Sequence, residues 1–170
     1  MSVSAKLLAS QPEFDFEIES QPGGLLVLGF QAREALSRLY EVRLQIAAAA
    51  DTDVDVPGLI GKKACLTVHS EAESRFFHGI VARMSLAHGT AGNRYPKRYE
   101  VTVVPQLWVL QHSSNCRIFQ DQTVPEIVKK LLDEHKLEVR LDLTGTHRSR
   151  QYCVQYRESD LDFISRLLEE

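Results

Sequence analysis

The sequence predicts a mainly β protein (β-rich α+β): an antiparallel barrel or sandwich over the first hundred or so residues, joined to a helix-containing module that begins near residue 115. Three observations predict it. Through the first hundred residues apolar side chains recur at every second position, the period of a strand with one buried face. Gly/Pro turns separate these runs, with little helical patterning between them, which favours hairpins over parallel crossovers. Near residue 115 the apolar spacing becomes helical.

Phe14, Phe16 and Ile18 alternate with acids and open the first strand. Pro22-Gly23-Gly24 reads as a turn, because Pro presets φ and Gly permits positive φ, and the apolar run Leu25–Phe30 follows it. Tyr40, Val42, Leu44 and Ile46 alternate with Glu41, Arg43 and Gln45; Leu66 and Val68 suggest another strand. Phe76, His78, Ile80, Ala82, Met84 and Leu86 are expected to line one face of a long strand, and His88–Asn93 a loop. Tyr99, Val101, Val103, Pro105, Leu107 and Val109 continue the alternation; Pro105 cannot donate to a ladder and is expected at an edge or bulge.

A helix is predicted over about 123–136. Thr123 and Glu126 have the spacing of a capping box, and Pro125 is tolerated in a first turn. Val124, Ile127, Val128, Leu131, Leu132 and His135 share one face; Lys129, Lys130, Asp133, Glu134 and Lys136 share the other. Val139, Leu141 and Leu143, then Tyr152, Val154 and Tyr156, alternate as in strands. A second helix is predicted from about 160, with Leu161, Ile164 and Leu168 on one side. It runs to Glu169-Glu170 with no Gly stop signal, and with acids where the helix dipole favours cations. The sequence is therefore expected to be a piece of a longer protein, its second domain incomplete.

The 170 residues are 44% hydrophobic and 25% charged, with net charge −3. That composition supports a buried core and excludes wholesale disorder. It leaves no basic footprint for nucleic acid or an anionic membrane. No apolar run is long enough for a membrane-spanning helix, and Met1–Lys6 lacks the start of a signal peptide. Three widely spaced cysteines, Cys65, Cys116 and Cys153, make a disulfide framework improbable and fit synthesis in a reducing cytoplasm.

Motifs for chemistry fail in turn. Gly58-Leu-Ile-Gly61-Lys62 contains a Gly-Lys pair, but Val56 stands where a phosphate-binding loop needs glycine and Lys63 where it needs a hydroxyl. The histidines, at 69, 78, 88, 112, 135 and 147, form no local ligand pair; His69 and His78 could meet only across neighbouring strands. His78 and His135 are more simply partly buried histidines, each with one hydrogen-bond partner. Glu158, Asp160 and Asp162 read as the acidic start of a helix, with Asp162 four residues before Arg166. His112, Ser113 and Ser114 could join a catalytic triad only with distant residues, and nothing positive supports one. No catalytic, cofactor or metal residue is assigned.

Cys116-Arg-Ile-Phe-Gln-Asp-Gln-Thr-Val-Pro-Glu-Ile-Val128, followed by Tyr152-Cys-Val-Gln-Tyr-Arg-Glu-Ser-Asp160 and its helix, closely resembles the N-terminal region of the VgrG proteins. These are the valine–glycine repeat spike proteins of bacterial type VI secretion systems, similar to the hub proteins of contractile phage tails. Glu34–Val42, Phe77-His-Gly-Ile80 and the stretch Tyr99–Leu110 with Trp108 also resemble that family, so the likeness covers nearly the whole chain.

The resemblance implies a barrel-like phage-tail-hub domain over about residues 1–113, followed by the incomplete start of a second hub domain over 114–170. It implies a homotrimer in the full-length protein, with a pseudo-sixfold face matching a hexameric, Hcp-like tube protein. It also implies spike-borne effectors or adaptors, and export by the apparatus after synthesis without a signal peptide. Neither nucleic acid nor stable membrane insertion is expected, and no enzymatic activity. Two alternatives are the baseplate hub of a contractile phage or prophage tail, and a secreted hydrolase or toxin domain whose activity would depend on His78 or His112.

Overall fold

The computed structural model describes residues 14–21, 23–48, 52–70, 73–87 and 97–169. Met1–Lys6, Pro22, the loop expected at His88–Asn93, and Glu170 lie outside the described residues. The chain packs as two compact units. One takes the described residues of Met1–Ala35 and Tyr40–Pro105; the other takes Leu36–Leu39 and those of Gln106–Glu170.

The first unit is a six-stranded sheet of β1 (Phe14–Ile18), β2 (Leu25–Ala35), β3 (Arg38–Ala48), β4 (Lys63–Val68), β5 (Arg75–Leu86) and β6 (Lys97–Val104), ordered β1-β4-β5-β6-β3-β2. A single helical turn, α1 (Val56–Leu59), joins β3 to β4. The expected alternation holds in β1 and β3: Phe16, Ile18, Val42, Leu44 and Ile46 are buried with Leu66, Val101 and Val103. The sheet curls into a half-barrel, so its edge strands meet through side chains. Phe14 of β1 packs edge-to-face on Phe30 of β2 at 5.3 Å; behind them Tyr40 of β3 packs on Phe77 of β5 at 6.1 Å, and Arg75 of β5 pairs with Glu34 of β2.

In β5 the buried face differs from the expected one. Phe77 and Val81 face the core, while Phe76, His78 and Leu86 are exposed. A register shift between Val81 and Arg83 then changes the parity and buries Met84. Adjacent Phe76 and Phe77 offer either parity, and a bulge adds one residue and exchanges the faces. Gly79 explains the Phe77-His-Gly-Ile80 block: a β-carbon there would lie 2.2 Å from the Val104 carbonyl oxygen.

Pro105 ends β6 outright. The expected continuation through Leu107 and Val109 is instead a 3₁₀ segment, Gln106–His112, whose Leu110 belongs to the core of the second unit. Proline removes a ladder donor, and i→i+3 bonds take over beyond it.

The second unit pairs β7 (Ser114–Phe119) with β8 (Cys153–Ser159) and packs them with α2 (Val124–Glu134) and α3 (Asp160–Leu168). The capping box forms: the Thr123 amide donates to Glu126 Oε2 at 2.7 Å, and the Glu126 amide to Thr123 Oγ1 at 3.4 Å. Phe119 stacks on Phe163 at 5.6 Å, among Ile127, Leu131, Ile164 and Leu167. One strand expectation fails here: Val139, Leu141 and Leu143 join no ladder. The strand expected around Tyr152–Tyr156 forms as β8, with Cys153 and Gln155 facing inward while Tyr156, and Tyr152 just before the strand, face solvent. The sheet's inner face is set by what Gln155 must bond to, and a tyrosine can keep its hydroxyl in water.

Candidate functional site

The Arg157-Glu-Ser-Asp160 block is a strand-to-helix junction in which each residue has a separate task. Asn115 pairs with Glu158 and Cys116 with Tyr156, so Arg157 is the extra residue of a bulge, at φ 50. A left-handed non-glycine residue costs about 1–2 kcal/mol, which the surrounding contacts must offset. Glu158 binds Arg166 at 2.7 Å. Ser159 caps α3, accepting from the Asp162 amide at 3.0 Å and donating to Asp162 Oδ2 at 2.7 Å. Asp160 begins the helix, where the macrodipole favours an anion, and its amide donates to the Ser113 carbonyl at 2.9 Å.

The Asp160 carboxylate is fully buried. Gln155 Nε2 at 2.7 Å and Asn115 Nδ2 at 3.2 Å donate to its Oδ1. His135 Nε2 lies 2.8 Å from Oδ2, and Arg117 Nη2 3.5 Å from the same oxygen. Arg117 also reaches Glu134 at 2.9 Å. This second contact is a charge pairing and not an aligned hydrogen bond, for Nη1 is without a hydrogen-bond partner, as is buried Gln155 Oε1. Burial alone would raise the Asp160 pKa. Hydrogen bonds from Gln155, His135 and Asn115, with the Arg117 charge, outweigh that and hold it below its ordinary value.

An ionised carboxylate whose two oxygens are both taken up by donors is a poor base and has no side open to a substrate. It ties β7 (Asn115, Arg117), the end of α2 (Glu134, His135), β8 (Gln155) and α3 together. The arrangement is architectural.

The other sequence candidates do not converge. His135 is partly buried with a single partner, as expected. His78, by contrast, is exposed and stacks on Phe76 at 5.9 Å; the β5 parity turns it outward. Its strand partner is Cys65, and His69 instead binds Asp15 at 2.7 Å, so the two histidines do not meet. His112 packs edge-to-face on Trp108 at 4.4 Å. Ser113 contributes its carbonyl to the Asp160 amide, and Ser114 begins β7. His147 sits in the α2–β8 link, and His88 lies outside the described residues. Among the described residues no three His, Cys, Asp or Glu side chains are grouped to hold a metal. Cys65, Cys116 and Cys153 are free thiols. No helix of the described residues is long and apolar enough to cross a membrane.

Asn115, Arg117 and Gln155 went unnoticed in the sequence. Their signal is present but faint: polar residues at alternate positions of two short strands, on the same faces as Phe119 and Cys153. Unit one offers a different surface, with Leu26 and Leu28 of the edge strand β2 exposed beside the partly buried Leu25 and Val27.

Comparison with known proteins gives a consistent set. The family model for the phage tail baseplate hub (GPD) matches residues 33–170. The type VI secretion system spike protein VgrG1a of Pseudomonas aeruginosa is 40% identical over 151 residues, 88% of this chain and 23% of that protein. The actin cross-linking toxin VgrG1 of Vibrio cholerae is 34% identical over 171 residues, 92% of this chain and 15% of that one. Among solved structures, the E. coli c3393 protein superposes with a TM-score of 0.77 at 28% identity, covering 91% of this chain and 42% of that chain. It is described as a type VI secretion component with structural similarity to the T4 bacteriophage tail proteins gp27 and gp5. The chain thus spans about a quarter or less of the curated relatives it matches.

Proposed function

The chain belongs to the phage tail baseplate hub family, among its type VI secretion VgrG spike proteins, and from that premise we propose that it builds the hub of a trimeric spike. Three copies, each presenting two hub domains bounded near residue 113, form a pseudo-sixfold ring that caps a hexameric Hcp-like tube. The ring carries the needle and its effectors or adaptors and leaves the cell with them when the apparatus fires. The role is mechanical and not enzymatic; the cross-linking activity named for the Vibrio relative belongs to that protein.

The observation that carries this reading is the VgrG likeness along most of the chain, joined to the hub fold at a TM-score of 0.77. Two further features support it. The buried Asp160 node makes a rigid junction without an open catalytic position. The exposed apolar positions of edge strand β2 are of the kind that a neighbouring subunit covers.

Deleting the gene in its host, with no second spike copy present, should abolish export of the tube protein, and the intact gene should restore it. Undiminished tube export would overturn the secretion reading. Loss of intact phage particles in an induced lysate, with export unchanged, would instead assign the chain to a tail baseplate.

A further inference from the structure

The two faces of the β7–β8 pair are unlike. Asn115, Arg117 and Gln155 point inward to Asp160, beside Phe119 and Cys153 of the core that α2 and α3 share. The outer face is the more apolar one. Ile118 stands opposite Val154 there, and Cys116 opposite Tyr156. Ile118 and Tyr156 are 60% and 64% exposed, Tyr152 just before the strand is 59% exposed, and Cys116 is an exposed free thiol. Arg157 lies over the Tyr156 ring at 5.2 Å and marks one rim of the patch. None of these side chains belongs to the unit's core.

A sheet with helices on one face and water on the other is written apolar-in and polar-out. In Cys116–Phe119 and Tyr152–Tyr156 the apolar runs are broken only by Arg117 and Gln155, which serve Asp160. That is the pattern of a sheet with a layer packed on each face. The size of the outer patch decides what can cover it. A free partner needs roughly 20–30 residues a side for a stable interface, because association must first offset lost translational and rotational freedom. This patch offers a few side chains. A segment of the same chain is already tethered, so a contact of this size suffices. The relatives have ample length to supply one: this chain spans 23% of VgrG1a and 42% of the c3393 chain.

We infer that the outer face of β7–β8 is a second core face, covered in the full-length protein by an apolar-faced β segment of the same chain from outside residues 1–170. This cover rests on the spike reading for its longer chain, but it forms within each copy and leaves the threefold symmetry untouched.

Alkylation of the full-length protein by N-ethylmaleimide, resolved by peptide mass spectrometry, tests the cover. Cys116 should react at least about tenfold more slowly than in the 170-residue chain or the urea-unfolded protein, because reaction then waits for local opening. I118D in the full-length protein should restore the fast rate without changing the oligomer measured by sedimentation. In the 170-residue chain, where Ile118 already meets water, I118D should leave the Trp108 thermal transition unmoved. Cys116 as reactive in the native full-length protein as in the short chain would overturn the inference. So would a lowered transition of I118D in the short chain. Protection lost because I118D separates the copies would overturn it too, by making the cover a neighbouring subunit's. A monomeric full-length protein with Cys116 protected would refute the ring and leave the cover standing.

Discussion

The two units reach stability by different physical routes. The first is an apolar curled sheet whose buried side chains are Phe, Leu, Ile, Val, Ala, Met and Tyr; the second packs two short strands and two helices around a smaller apolar core and adds an ionised carboxylate buried among polar partners. A two-stranded sheet alone is marginal, so the second unit adds directional polar bonds at Asp160 to its apolar packing, where the first relies on area. Such a node specifies one geometry and tolerates little change.

The largest expected effect tests that contrast directly. Asp160→Ala would leave Arg117, His135, Gln155 and Asn115 without their common partner, and breaking a buried pair costs about 3–5 kcal/mol. Trp108, the sole tryptophan, lies in the second unit, so its fluorescence reports that unit. Its thermal transition should fall well below the parent's while the amide signals of β3 and β6 stay dispersed. Joint loss of both would show that the units fold as one, and an unchanged transition would refute the node.

The units should also separate by pH. Asp160 has a folded pKa below its ordinary 3.8, so its contribution is present above 3.8 and is lost as pH falls from there toward the folded value. In the first unit burial, chiefly, raises Cys65 from 9.0 and Tyr40 and Tyr99 from 10.0. Stability held by those neutral forms is present below pH 9 and is lost as pH rises through their folded values. Acid should therefore release the Trp108 signal first, and alkali the sheet. The acid response should flatten in Asp160→Asn.

What could be read from sequence follows the same division. β1 and β3 were legible because a one-face-buried sheet writes itself as alternation, and α2 because Thr123 and Glu126 carry its start. The β5 faces were not legible, since Phe76-Phe77 allows both parities and a bulge has no apolar signature. Nor was the Asp160 node, whose donors come from three separate elements; the sequence showed only an acid at a helix start, which is also true. Pro105 was seen as a disturbance but not as a stop.

Gly79→Ala probes the first unit where its tolerance should fail. A methyl 2.2 Å from the Val104 carbonyl oxygen, and 2.9 Å from Val103 Cγ1, cannot fit without moving backbone. Overpacking of this kind costs about 1–3 kcal/mol. The variant should lower the unfolding transition of the sheet, followed by hydrogen exchange of β5 and β6 amides, with Trp108 fluorescence unmoved. If alanine is accepted without loss, the β5–β6 contact gives way more easily than a close-packed sheet allows.

The smallest effect sharpens the comparison within the second unit. Thr123→Ala removes the hydroxyl that accepts from the Glu126 amide and donates to Glu126 Oε2 at 2.8 Å; cap losses run to about 1 kcal/mol. Glu126 is held below its usual pKa first by the Thr123 amide and then by that hydroxyl, so the amide bond alone should keep part of the depression after substitution. NMR titration of Glu126 should show its pKa moving partway up, with α2 intact. Full return to the ordinary value would mean that the hydroxyl positions the carboxylate as well as binding it. Because α2 delivers His135 to Asp160, frayed amides at its start with an unchanged His135–Asp160 contact would separate the helix's own cap from the node at its other end.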